Sequence, residues 1–316
     1  MSMLLSRVAE TAYWMARYVE RAENTARIVM VNTNLTLDVP RSITLGWEPV
    51  LSITGSAAEF LERYKEASER SVIKFLVSDQ KNPGSLITSI HQARENMRSA
   101  RSCFPREAWE TLNDLYLYAR DQMNAGLTRR GRHAYLTAIV GRCQQLTGLL
   151  SGTMSHDELY HFLRLGRNLE RADMTTRVLD VRAGNLLPDQ SDELQPFEDI
   201  QWMSVLKSLA AYQMYRRHAQ LRVRGSDVLH YLLRDTGFPR SVSHCLGEVE
   251  NCLRRFPRNR SALLAVRKPQ KVVSEINPVA LVQSGLHGFL DELQIHLGTI
   301  HERLACTYFE CEKAAG

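Results

Sequence analysis

The chain has 316 residues, 44% apolar and 24% charged, with 10 Pro, 17 Gly and a formal net charge of +5. That composition is one of a folded globular protein and excludes a disordered, collagen-like or low-complexity chain. The charge is too small to imply nucleic acid without a local basic patch, and no apolar run reaches the length of a membrane span.

From the N-terminus, Arg7 and Glu10 fall where a signal peptide needs an apolar core. The six cysteines show no CxxC spacing, so the expectation is a cytoplasmic protein with reduced thiols used as small core residues. Helical periodicity then runs through nearly the whole chain. The spacing predicts helices near 4–36, 46–64, 68–78, 83–102, 105–124 and 131–150, then near 155–183, 198–222, 225–234, 239–255 and 278–311. Segments 36–46, 184–198 and 256–277 read as the longer connections. No alternating strand pattern occurs, so the fold class is all-α with essentially no β structure.

Two stretches of this helical pattern are nearly the same. Residues 17–27 read RYVERAENTAR and residues 167–177 read RNLERADMTTR. Arg17, Glu20, Arg21, Ala22, Thr25 and Arg27 recur as Arg167, Glu170, Arg171, Ala172, Thr175 and Arg177. Further on, WEPVL (47–51) matches WMSVL (202–206), and VIKFLVSDQKNPGS (72–85) matches VLHYLLRDTGFPRS (228–241). Three matched blocks in one order imply an internal duplication. The expected organisation is two helical repeats, 1–150 and 151–316, related by a pseudo-twofold and packed as one globular unit. In the third block Asn82-Pro83 and Phe238-Pro239 read as helix starts, with Pro in the first turn.

On a helical wheel, Met15, Val19, Ala22, Ala26 and Val29 form an apolar stripe. Tyr13, Ile28, Val31 and Leu35 lie on the opposite side, in line with Arg17, Glu20 and Arg21. Leu163, Met174, Val178 and Val181 line up likewise with Arg167, Glu170 and Arg171. The charges interrupt an apolar stripe on a helix that is apolar on two sides, which belongs near the centre of a bundle. Buried, Glu20 and Glu170 require Arg partners from another helix, because adjacent residues on one helix diverge. The rival reading is a solvated face, and that suits Glu23/Arg27 and Asp173/Arg177 better. Arg94, Glu95 and Arg98 in ARENMRSAR (93–101) either join this ion seam or form a solvated charge face.

The two ER helices, with ARENMRSAR and REAWETLNDLY (106–116) between them, resemble the alpha-E family, a bacterial all-helical domain named for its ER motif. The motif carries over onto Glu20-Arg21 and Glu170-Arg171. Met97 stands where the family commonly has Ala. The resemblance implies a link with circularly permuted ATP-grasp ligases, transglutaminase-like peptidases and proteasome-like hydrolases, hence with peptide synthesis, tagging or turnover. It transfers no catalytic residue.

The residues themselves add little catalytic chemistry. Glu158-x-x-His161 is half of a carboxylate-bridged di-metal motif, but Val8 and Thr11 occupy the duplicated positions, so no metal site is expected. Glycine-rich phosphate loops and a G-x-S-x-G elbow are absent, and no cofactor is expected. Arg beside Glu20 and Glu170 lowers a carboxylate pKa, which suits binding or structure better than acid catalysis. The basic stretches 254–271 and 128–133 read as solvated loops, and nucleic acid is disfavoured because Phe256 alone is a poor stacking platform. Two functions follow as expectations. One is a non-enzymatic accessory module that works with an ATP-grasp ligase and binds a peptide or amino-acid carboxylate. The other is an enzyme of amide or peptide chemistry with its site between the ER helices.

Overall fold

A computed structural model describes residues 6–38, 46–184, 195–218 and 223–309. Every regular element among them is helical. The chain divides into two compact units, Met1–Arg167 and Asn168–Gly316. The division falls inside a helix, whereas 150/151 lies at the end of the preceding one.

The first unit is organised on α1 (Ser6–Asp38). Short helices α2 (Glu48–Ile53), α3 (Ala57–Leu61) and α4 (Glu69–Ile73) follow, the last running into a π turn over Lys74–Ser78. Then come α5 (Leu86–Ser99), α6 (Arg106–Asp121), α7 (Met123–Leu127), α8 (Arg129–Thr153) and the start of α9 (Glu158–Gly184). Helix α1 packs against α5 and α8, and α6 closes the group against both. The two-sided apolar pattern has the expected result. Residues 22–26 of α1 are consecutively buried, as only a helix covered on several sides can be. Helix α8 turns Leu136, Ile139, Cys143 and Leu146 inward at alternating spacings of three and four.

The second unit holds the rest of α9, α10 (Gln195–Ser208), α11 (Tyr212–His218), α12 (Gly225–Arg234) and α13 (Val242–Leu253). It ends with α14 (Arg260–Glu275), α15 (Pro278–Gln283) and α16 (Leu286–Leu304), which runs into a π turn. Helix α14 packs on α13 and α16, as α6 packs on α5 and α8. Both units therefore carry long helix, short helices, turn and three packed helices in the same order.

Four expectations are corrected. The segments 256–277 and 254–271, expected as a connection and a loop, are mostly helix, since α14 spans Arg260–Glu275 and only 254–259 form a turn. Helix α14 buries Ala262, Val266, Pro269 and Val273, a helical stripe that includes its interior proline. The stretch 128–133 starts α8: Thr128 accepts the Gly131 N–H, and Arg132 is buried on Glu69 at 2.8 Å. The predicted long helices 46–64, 198–222 and 278–311 are each broken, at Gly55, Ala210 and Gly285, which take φ of 65°, 54° and 81°. Pro83 and Pro239 precede the helices they were expected to open. Ser85 and Ser241 are the N-caps, accepting from Thr88 N and His244 N at 3.3 and 3.1 Å. The predicted connections 36–46 and 184–198 lie largely outside the described residues, as does Cys311.

Candidate functional site

Glu20 and Glu170 are each only 2% exposed, and Arg17, Arg21, Arg167 and Arg171 are half-buried. In the first unit Glu20 and Arg167 line one crevice, walled by Met15, Val19, Leu146 and Leu163. Its volume is about 20 Å³, enough for roughly one water molecule. Gly166 explains how α9 reaches α1 here: a Cβ at that position would stand 2.1 Å from the Tyr13 carbonyl oxygen. Arg17 donates to the Tyr13 hydroxyl at 3.2 Å and lies 5.1 Å from the Trp14 ring centroid, while Arg21 lies 5.5 Å from that of Tyr18. Cys143 faces the same carboxylates. Burial, then Glu23 and Glu20, push its thiol well above the ordinary range, which keeps it protonated and inert.

Glu23 departs from the expected solvated face. It is 2% exposed, pairs with Arg27 at 2.9 Å and receives the Gln144 amide at 3.5 Å. Helix α8 covers a position that the wheel alone left open. Asp173–Arg177 makes the same pair at 2.9 Å, with side chains 22% and 33% exposed.

Arg94, Glu95 and Arg98 stand on α5. Arg94 donates to Asn113 and Glu95 at 2.8 Å each, and it lies between the Trp109 and Tyr116 rings at 5.4 and 5.0 Å. Arg98 pairs with Glu95 at 2.6 Å, and its hydrogen bond leads the effects that hold the Glu95 carboxyl below its usual range. Glu95 and Arg98 edge a groove of about 410 Å³ between α1 and α5, distinct from the Glu20 crevice. Helix α1 contributes Arg7, Glu10, Thr11, Trp14 and Tyr18 to it, and α5 adds Gln92, Asn96 and Ser99. Sequence reading passed over Trp14/Tyr18 and Gln92/Asn96. Each is an i,i+4 pair, and that spacing was the available signal.

For metal, Asp180, His287 and Asp291 are the group among the described residues with ligand atoms close together. His287 Nδ1 lies 2.6 Å from Asp180 and Nε2 3.4 Å from Asp291. His287 thus bridges Asp180 on α9 and Asp291 on α16, a clasp that is ionic when the imidazole is protonated. Its hydrogen bond to Asp180 raises the His287 pKa. Glu158 and His161 belong to no such group. Among the described residues no helix is long and apolar enough to cross a membrane.

The chain has relatives among known proteins. It is 22% identical to an uncharacterised protein of Mycobacterium bovis and to uncharacterised proteins of two Mycobacterium tuberculosis strains, over 94% of its own length. It spans about a third, 35%, of the length of each of those relatives. No solved structure matches it. The model of the Alpha-E family, described as a predicted alpha-helical domain with a conserved ER motif, matches residues 4–309. With the glutamate of each ER pair buried in a long helix, every regular element of the described residues helical, and the match running nearly end to end, the protein belongs to the Alpha-E family.

Proposed function

We propose that this chain is a non-enzymatic binding module that acts beside an ATP-grasp amide-bond ligase and a transglutaminase-like protein in peptide synthesis, tagging or turnover. The observation that supports binding over catalysis is the crevice of about 20 Å³ at Glu20. Small-molecule sites occupy roughly 300–1,000 Å³, so a substrate has no room beside this carboxylate. Glu20 accordingly serves as part of a buried scaffold. Ligands are left to the more open α1–α5 groove.

The test is affinity purification of the tagged full chain from its native host, followed by incubation of the captured material with ATP and short peptides. Recovery of an ATP-grasp protein, with ATP-dependent peptide ligation that the purified chain alone lacks, is the expected result. Turnover by the purified chain alone, abolished in Glu20→Gln, would move the activity to the ER residues and overturn the reading.

A further inference from the structure

We infer that the groove between α1 and α5 is a binding site for a short peptide with a free C-terminus, held through its main chain. The inference deepens the reading above and rests on its peptide-handling part. At about 410 Å³ the groove has the size of a small-ligand site. Its walls carry three kinds of group, and a peptide uses all three.

The first is an amide pair. Gln92 and Asn96 stand one turn apart on α5, and each offers a carbonyl acceptor and two N–H donors. Neither amide side chain hydrogen-bonds within the described residues. One helical turn rises about 5.4 Å, close to the roughly 6.6 Å at which an extended chain repeats its outward C=O and N–H on one edge. Two such amides can therefore pair with successive main-chain groups of a bound strand.

The second is an aromatic platform. The Trp14 and Tyr18 rings are 5.7 Å apart at 31° to one another, and both are half-buried. Arg17 and Arg21 lie against them from their own helix, which fixes their orientation. Rings so held offer an apolar surface with a polar edge at little entropic cost.

The third is the charge distribution. Arg7 and Arg98 are balanced in the groove by Glu10 and Glu95, and Glu95 is held ionised by Arg98. A polyanion such as a nucleotide triphosphate meets two carboxylates there and is disfavoured, whereas a peptide brings no excess charge. Arg7 makes no ion pair among the described residues and is exposed. Its planar fork is the natural partner of a terminal carboxylate.

The experiment is calorimetric titration of the full chain with the tripeptide Ala-Phe-Ala, in parallel with its C-terminal amide, free phenylalanine and ATP. Saturable binding of the tripeptide is expected, weaker by about tenfold for the amide and for Arg7→Gln, as one lost charge-assisted contact predicts. Gln92→Ala with Asn96→Ala should weaken it by a similar factor at unchanged melting temperature, since neither side chain is buried. Absence of saturable tripeptide binding overturns the inference. So does binding that ignores the two amide substitutions, or ATP binding tighter than the tripeptide. No ligase is present in this titration, so a failure to capture a ligase from the host and a failure of the groove to bind peptide are separate outcomes.

Discussion

At the scale of single residues, burial decides the role of each charge. A carboxylate moved from water to a protein interior must be paired, and breaking a buried pair costs about 3–5 kcal/mol. Glu20 is 2% exposed and shares its crevice with Arg167. Glu20→Ala is therefore expected to lower unfolding free energy by about that amount, and Glu20→Gln by less, because an amide oxygen can accept from a guanidinium in the same crevice. An exposed pair would lose only about 0–1 kcal/mol in both variants, so denaturant melts separate the cases. The neighbouring thiol gives an independent reading of the same environment. Cys143 is buried beside Glu23 and Glu20, whereas Cys103 and Cys306 are exposed. Under native conditions a maleimide should label Cys103 and Cys306, with Cys143 protected until the protein unfolds. Peptide mapping reads this directly, and early labelling of Cys143 would mean that the carboxylate seam opens to water.

At the scale of elements, close approach of backbones and clasps between helices set the packing. A Cβ at Gly166 would meet a main-chain carbonyl, which cannot rotate away as a side-chain tip can. Gly166→Ala should cost about 1–3 kcal/mol or more, while Gly148→Ala on α8, which meets nothing within 4 Å, should be neutral or stabilising. A thermal melt in which both variants behaved alike would remove Gly166 as the reason α9 can lie on α1. The clasp from α9 to α16 is sensitive to pH instead. The His287 pKa is raised in the folded protein, so its contribution is fully present below the ordinary histidine pKa near ~6.5 and disappears as pH rises through the raised value. Asp180→Asn should thus narrow the stability difference between mildly acidic and mildly alkaline buffer, by a small amount that salt screens, because His287 is 75% exposed. The same two kinds of feature explain what the sequence could reveal about elements. Helix α1 was legible because apolar residues recur at helical spacing on two of its sides for many turns. Helix α14 was not, because Pro269 and a dense run of Arg and Lys imitate a loop, and only contact with α13 and α16 makes its Ala262–Val266–Val273 stripe decisive. In the candidate site the ER burial was readable from periodicity. The burial of Glu23 was not, since it depends on where α8 lies, and the groove was not, since a concave surface needs two helices.

At the scale of the whole chain, the open question is whether its two units descend from one. The order of elements agrees, and so does the detailed turn that precedes α5 and α13. Asp79 accepts from Lys81 N at 2.9 Å, and Asp235 accepts from Gly237 N at 2.8 Å. Each Asp thus folds its own backbone into a turn, and each turn ends in a buried Ser that caps the next helix. Convergence readily supplies one capped helix. It less readily supplies an Asp turn, a Pro and a capping Ser at the same spacing in the same place of two helical series. If the turns are copies, equivalent substitutions should behave alike: Ser85→Ala and Ser241→Ala should each cost about 0.5–2 kcal/mol, the range for a lost N-cap. Ser85→Gly and Ser241→Gly should lose only a few tenths, because glycine tolerates the cap conformation and leaves the N–H groups open to water. Denaturant melts of all four variants in the full chain make the comparison. A loss at one serine without a loss at the other would show that the two turns hold their helices by different means, and the duplication would then rest on the sequence matches alone.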